Sequence, residues 1–275
     1  MVLMKETIPL FKVFMSPTAK DKAGEVLDSG YIGQGAKVDE FEKQIGNYFG
    51  NNKVVTTNAG TSALHLALHL LKKPKPHWNE DVFQGVAFVS HHWPGIEDGD
   101  EVLATPLTCT ASNWPIVANN LKIKWVDIDP TTLNMCLKDL EKKMTPKTKA
   151  IMGVHWGGYP LDLDKIRDIR SKFRGKYGWA PALIEDGAHA FGSKYKGKYL
   201  GNHNNFVMNS LQAIKHITSV DGGLLYCPHD ELYERAKLLR WCGIDRNPNG
   251  RTDFRCEADI EAVSYTHLTL PTRTR

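Results

Sequence analysis

Cysteine is scarce in this chain and poorly spaced for cross-linking. Five occur in 275 residues (Cys109, Cys136, Cys227, Cys242 and Cys256), an odd number with no CxxC pair. That argues against a disulfide framework or a zinc site and suits a reducing, cytoplasmic compartment. Long apolar runs are absent as well. None approaches the roughly 18 residues that a membrane span needs, and residues 1–12 have no apolar core of the kind a secretory signal carries. Charge of one sign is also missing. The 35 basic and 31 acidic residues are interleaved and leave a net charge of +4, which gives neither nucleic acid nor a membrane surface anything to hold. His77, His91 and His92 share one stretch, but their spacing matches no metal-ligand pattern, so no metal is expected.

What is present is the balance of an ordinary globular protein, 41% hydrophobic and 24% charged, long enough for one large domain or two smaller ones. Residues 1–16 read as an extended lead-in. Ser16 and Pro17 are placed to cap and open a helix over 17–28, and the glycine-punctuated loop Tyr31-Ile-Gly-Gln-Gly35 follows. Val38, Phe41, Ile45 and Phe49 have helical spacing over 37–49. The β-branched run 53–57 predicts a strand. It leads through Asn58-Ala-Gly-Thr-Ser62 into a strongly apolar helix, 63–71. Residues 73–98, broken by Pro74, Pro76 and Pro94, read as a surface insertion. Beyond it, strands are expected at 101–105, 122–127, 149–154, 182–186, 206–209 and 223–226. Helices are expected at 110–119, 137–143, 163–173 and 230–241. Alternation of this kind predicts an α/β three-layer sandwich with a mostly parallel central sheet. Ligands of such sheets sit beyond the carboxyl ends of the strands, where Asp186, Asn58–Ser62 and Pro106–Cys109 can converge.

Three of these stretches carry chemistry. Strand, small-residue turn and helix at 53–71 can present backbone N–H groups and the positive end of a helix dipole to an anion. Simple helix capping by Thr61 or Ser62 suits the same residues, and the sequence alone leaves both readings open. Asp186 ends a strand. Lys215 lies between Ile214 and Ile217 with His216 beside it. A partly desolvated amine loses some preference for its charged form and can attack an aldehyde. Ser210 stands five positions upstream and Gly222-Gly223 just downstream.

From about residue 8 to about 263 the chain resembles the DegT/StrS-type sugar aminotransferases, pyridoxal-phosphate enzymes of fold type I. The resemblance rests on Gly30-Tyr-Ile-Gly-Gln-Gly35, Asn58-Ala-Gly-Thr-Ser-Ala-Leu64, Gly99-Asp-Glu-Val102, Val126-Asp-Ile-Asp129, Val154-His155 with Gly158-Tyr-Pro160, Glu185-Asp-Gly-Ala-His-Ala-Phe-Gly192 and Ser210–Thr218 running on to Gly223. It implies that Lys215 forms the Schiff base with pyridoxal 5′-phosphate and that Asp186 bonds the pyridine nitrogen. Gly60, Thr61, Ser62 and Ser210 would hold the phosphate, and His189 would lie beside the ring. Cys109 stands where the family usually stacks an aromatic on the cofactor. The implied reaction moves an amine from a donor, expected to be glutamate, to a nucleotide-linked keto-deoxy sugar in a homodimer. Relatives that replace the lysine with histidine are dehydratases. That activity, and a non-catalytic nucleotide-sugar-binding or regulatory role, are the alternatives to transamination.

The resemblance also sets expected borders. A large cofactor-binding domain covers 17–245 with the insertion at 73–98, and the start of a small C-terminal domain covers 246–263. That small domain is then expected to be largely missing, with residues 264–275 a tail not native to the protein.

Overall fold

The computed structural model describes residue 9 and residues 11–72 and 93–243. In chain order these hold α1 (Ala19–Asp28), α2 (Ala36–Phe49), β1 (Val54–Thr57), α3 (Gly60–His69), β2 (Glu101–Ala104), α4 (Thr110–Ala118), β3 (Lys122–Trp125), α5 (Leu137–Lys143) and β4 (Thr148–Val154). A 3-10 turn (Trp156–Gly158) precedes α6 (Leu163–Tyr177), β5 (Ala182–Asp186), the two-stranded hairpin β6 (Lys194–Tyr195) and β7 (Lys198–Tyr199), then β8 (Phe206–Ser210), β9 (Gly223–Tyr226) and α7 (Asp230–Leu239). Seven strands form one sheet in the order β1-β9-β8-β5-β4-β2-β3. Only β9 runs against its neighbours. Because β1 is antiparallel to β9 and β9 to β8, β1 points the same way as β2, β3, β4, β5 and β8, and these six strands deliver their carboxyl ends to one edge.

Alternation along the strands divides the core in two. Val55, Ala150, Met152, Ile184, Met208 and Leu225 join the α3, α4 and α7 side. Val54, Ile151, Leu183, Val207, Leu224 and Tyr226 join the α2, α5 and α6 side. Burial on both faces explains why β4 and β5 read as nearly unbroken apolar runs. Helix ends are fixed locally. The Asp162 side chain accepts from the Lys165 N–H and caps α6, and Gly178 at φ 79° closes it. At α3 the buried Arg235 of α7 donates through Nη1 to the carbonyls of Leu70 (2.9 Å) and Lys72 (3.1 Å), placing a cation at the negative end of that helix.

The sequence expectations hold for the sheet and for most helices, with four differences. α1 begins at Ala19 rather than Pro17, because Ser16 and Pro17 form the turn before it and Thr18 occupies the cap position. α3 begins at Gly60, three residues early. The hairpin β6–β7 was not foreseen, since two-residue strands leave no periodicity to read. The expected surface insertion needs correcting at its end. Trp93 and Ile96 are buried in the main core, and the Ile96 N–H and the Trp93 indole N–H both donate to the Leu71 carbonyl, at 3.1 and 3.3 Å. Residues 73–92 of that stretch, with His77, His91 and His92, lie outside the described residues. So do Cys256, the border at 245, the expected small-domain start 246–263 and the tail 264–275. Among the described residues no helix is long and apolar enough to cross a membrane.

Burial also sets a pH response. His65, on α3, is pushed down to about 4, first by desolvation and then by the charge of Lys72. Between pH 6.5 and 4 the unfolded chain therefore binds more protons at this residue than the folded one. Stability that is complete above pH 6.5 is lost as pH falls toward 4, by on the order of 2–3 kcal/mol from this histidine. Urea denaturation at pH 7.5 and 4.5 should show a smaller acid loss in His65→Gln than in the wild type.

Candidate active site

The first part of the site is the turn from β1 into α3. Ala59 is extended at the N-cap (φ −156°, ψ 154°), and no side chain caps the helix. The Ala63 N–H reaches back to the Ala59 carbonyl at 3.2 Å, so the N–H groups of Gly60, Thr61 and Ser62 in the first turn lie ahead of the helical ladder. The capping reading of Thr61 and Ser62 therefore fails: both sit inside the first turn, half-buried, not before it. The turn is packed against the far strands through missing side chains. A Cβ on Gly60 would stand 2.9 Å from Met208 Sδ and 3.2 Å from Ser210 Cβ, and one on Gly223 would stand 2.5 Å from the Ala59 carbonyl oxygen. An uncapped helix N-terminus in such a glycine cradle suits a phosphate.

Asp186 is the second part. It ends β5 and is buried. Its Oδ1 accepts from the Ala188 N–H at 3.0 Å, and its Oδ2 accepts from the Ser112 hydroxyl at 2.5 Å. Ser112 is itself 2.6 Å from the Thr108 hydroxyl. Two donors thus aim one carboxylate at the strand-end edge. The residue before it, Glu185, points to the opposite face of the sheet. There its Oε2 meets His155 Nε2 at 2.8 Å and its Oε1 accepts from Asn205 Nδ2 at 2.7 Å. The Leu161 N–H donates to His155 Nδ1 at 3.0 Å, so Nε2 carries the ring proton and donates to Glu185. The His155 N–H also holds the Asp186 carbonyl, at 3.0 Å.

Lys215 follows β8 in the loop before β9. Lys215 is half-buried; Ile214 beside it is 48% exposed and does not enclose the amine, while Ile217 packs on the core. Its loop is pinned at both ends: the Leu211 N–H donates to the Gly222 carbonyl at 2.9 Å and the Ser219 N–H to the Leu211 carbonyl at 3.1 Å. Val220 adopts φ 74°, a strained setting for a β-branched residue. His189 ties the parts together. Burial pushes its pKa below the usual histidine value, the positive charges of Lys215 and His216 push the same way, and Asp186 opposes them. These four groups therefore share one electrostatic neighbourhood. Cys109 is exposed at the N-cap of α4, one turn before Ser112.

Sequence reasoning missed Ser112, Asn209 and Trp156, and held Thr108 only as part of the strand-end stretch Pro106–Cys109. Thr108 and Ser112 stand four apart at the start of a helix, the only local signal they offered. Asn209, buried, donates to the Gly187 carbonyl at 2.6 Å and holds the turn after Asp186.

The family model for the DegT/DnrJ/EryC1/StrS aminotransferases matches residues 15–77 and 86–258. The chain belongs to that family. Among solved structures it is similar to AtS13 from Actinomadura melliaura, with 43% identity and a TM-score of 0.79 over 95% of this chain and 68% of that one. It is also similar to the sugar aminotransferase CalS13 from Micromonospora echinospora, with 43% identity and a TM-score of 0.76 over 87% of this chain and 59% of that one. A GDP-4-keto-6-deoxymannose-3-dehydratase with a trapped PLP-glutamate geminal diamine aligns at 26% identity and a TM-score of 0.73, over 88% of this chain and 57% of that one. An uncharacterized protein of Methanocaldococcus jannaschii is 32% identical over 90% of this chain, which spans 56% of that relative's length. The sheet and its helices are those of the fold type I pyridoxal-phosphate enzymes.

The DegT-family chain fits that cofactor on its own geometry. The glycine cradle at Gly60 suits the phosphate, Asp186 is a fixed carboxylate for a ring nitrogen, and Lys215 is an amine in the same neighbourhood. The Gly223–Ala59 approach is the tightest element. Gly223→Ala must push the Ala59 carbonyl aside, so it should cost about 1–3 kcal/mol of stability. Its pyridoxal-phosphate affinity should also fall, as measured by urea denaturation and by absorbance titration.

Proposed function

We propose that this protein transfers an amine from glutamate to a nucleotide-linked keto-deoxy sugar, using pyridoxal phosphate. The observation that carries the reading is the contact of the uncapped N-terminus of α3 with Ser210 and Gly223, at the edge where β5 ends in Asp186 and the Lys215 loop joins β8 to β9. The N–H groups of Gly60, Thr61 and Ser62, with the Thr61, Ser62 and Ser210 hydroxyls, would bind the phosphate. Asp186 would hold the proton on the pyridine nitrogen. When bound, the cofactor would supply an electron sink. Lys215 would hold the cofactor aldehyde through its amine and, when released, would carry a proton from and to the donor α-carbon. Cys109 would flank the ring with a smaller face than an aromatic gives.

CalS13 is described as a sugar aminotransferase and the aligned dehydratase carries glutamate on its cofactor, which supports the acceptor class and the donor. Dehydration by a relative of that enzyme is the second reading. Lys215 favours transamination, since the family resemblance implies histidine at that position in the dehydratases. The homodimer we assign is supported by α1, which buries no residue, and by Tyr31 and Ile32, which are 84% and 71% exposed. The thiols of Cys109, Cys136 and Cys227 are free, which suits the cytoplasm.

With pyridoxal phosphate added, the wild type should show an absorbance band near ~420 nm that glutamate shifts toward ~330 nm, and Lys215→Ala should show neither. An unchanged band in Lys215→Ala would remove the lysine from its role. A wild-type band that glutamate leaves untouched would remove the donor.

A further inference from the structure

Trp156 emerges where β4 leaves the sheet, beside the strand that ends in Asp186. The register pairs Val154 with Asp186. His155 then turns inward, and Trp156, half-buried, stands at the carboxyl edge. Its indole meets the His189 ring edge to face, with centroids 5.6 Å apart and planes at 63°.

The two turns that carry these rings are locked to each other. The Trp156 N–H donates to Asn134 Oδ1 at 2.9 Å and Asn134 Nδ2 donates to the Tyr159 carbonyl at 3.0 Å, with Asn134 itself buried. Gly157 and Gly158 take φ 58° and 84°. The left-handed Gly158 lies so close to the other turn that a Cβ there would stand 2.8 Å from the His189 carbonyl oxygen. The Ser193 hydroxyl then donates to the Gly158 carbonyl at 2.9 Å. Side-chain bonds and glycine contacts thus hold a large aromatic surface rigidly beside the proposed reacting groups.

We propose that Trp156, backed by His189, forms an aromatic wall that receives the C–H face of the acceptor sugar ring and so determines which acceptor is taken. The inference rests on the transaminase reading above. A deoxy hexose has a face rich in C–H groups and poor in hydroxyls, and a flat ring covers such a face without leaving polar groups unpaired. Glutamate offers two carboxylates and no such face, and the indole offers no cation. The wall therefore serves the sugar half of the reaction and not the amino-acid half. Burial first, and then the charge of Lys215, favours the neutral form of the His189 ring.

The test separates the halves by single-turnover absorbance. The pyridoxal form is mixed with glutamate, and the aminated form with GDP-4-keto-6-deoxymannose or a second nucleotide-linked 4-keto-6-deoxy hexose. Calorimetric titration of the pyridoxal form with the same sugars, which it cannot aminate, reads affinity without turnover. Trp156→Ala should weaken sugar affinity by roughly 10–100-fold and slow the glutamate half far less. Trp156→Phe should recover most of the loss. If Trp156→Ala does not fold, Trp156→Leu, which keeps bulk without a flat ring, reads the same split.

Equal slowing of both halves would reduce Trp156 to a prop for His189 and overturn the inference, as would unchanged sugar affinity. A wild type that fails with glutamate sinks the transaminase reading itself. One that accepts glutamate but binds neither sugar overturns the acceptor assignment and the wall with it.

Discussion

The site depends on a backbone contact with no room for a side chain. The Ala59 carbonyl rests directly on Gly223, and Gly60 rests on Met208 and Ser210. This joins β1 to β8 and β9, across about 160 residues of sequence, and fixes the N-terminus of α3 beside the loop that carries Lys215. The antiparallel course of β9 makes the contact possible. Gly223 begins β9 at the edge where β1 and β8 end, in register with Thr57 and Ser210. A parallel β9 would bring its carboxyl end to that edge instead.

Two buried polar clusters hold the strands that converge there. Glu42, on α2, accepts at one oxygen from the Thr56 N–H (2.8 Å), the Thr56 hydroxyl (2.6 Å) and the Arg240 guanidinium. It thus ties β1, one residue before Thr57, to α2 and to the end of α7. Under β5, the Glu185 carboxylate shares its two oxygens between His155 and Asn205 with no exposure to water. A carboxylate without partners in either place would cost several kcal/mol. Each cluster is satisfied by groups that come from separate elements, so each records a specific assembly of the sheet. Neighbouring residues of β5 consequently serve opposite ends: Glu185 secures the strand from below, and Asp186 faces the edge where ligands arrive.

Much of the fold was legible because its signals are local. The β-branched and apolar runs at 101–104, 148–154 and 182–186 are strands buried on both faces. The 3.6-residue spacing of Ile45 and Phe49, or of Leu163, Ile166 and Ile169, marks helix faces that pack on the sheet. Asp186 and Gly60 stand out in the sequence as candidates because each sits at a strand end or a small-residue turn, and Lys215 because apolar residues flank it. The pair Thr108 and Ser112 does not, since two hydroxyls one helical turn apart resemble any polar helix start until β2 and β5 bring them to Asp186. Trp93 and Ile96 looked like surface because prolines break the periodicity around them, yet one carbonyl at the end of α3 anchors both to the core.

By itself the sequence determined the element order, the layering and the family, because hydrophobic period, turn residues and short motifs are written in neighbouring positions. Tertiary structure alone decided how the amine is surrounded. Ile214 flanks Lys215 in sequence but projects toward solvent, whereas Asp186 and His189 arrive from the end of β5 and the turn beyond it. It also decided that Trp156 and His189 share one wall, since Asn134, Gly158 and Ser193 meet only after three separate segments have packed. Side-chain environment depends on distances between segments, and a sequence records distances only along the chain.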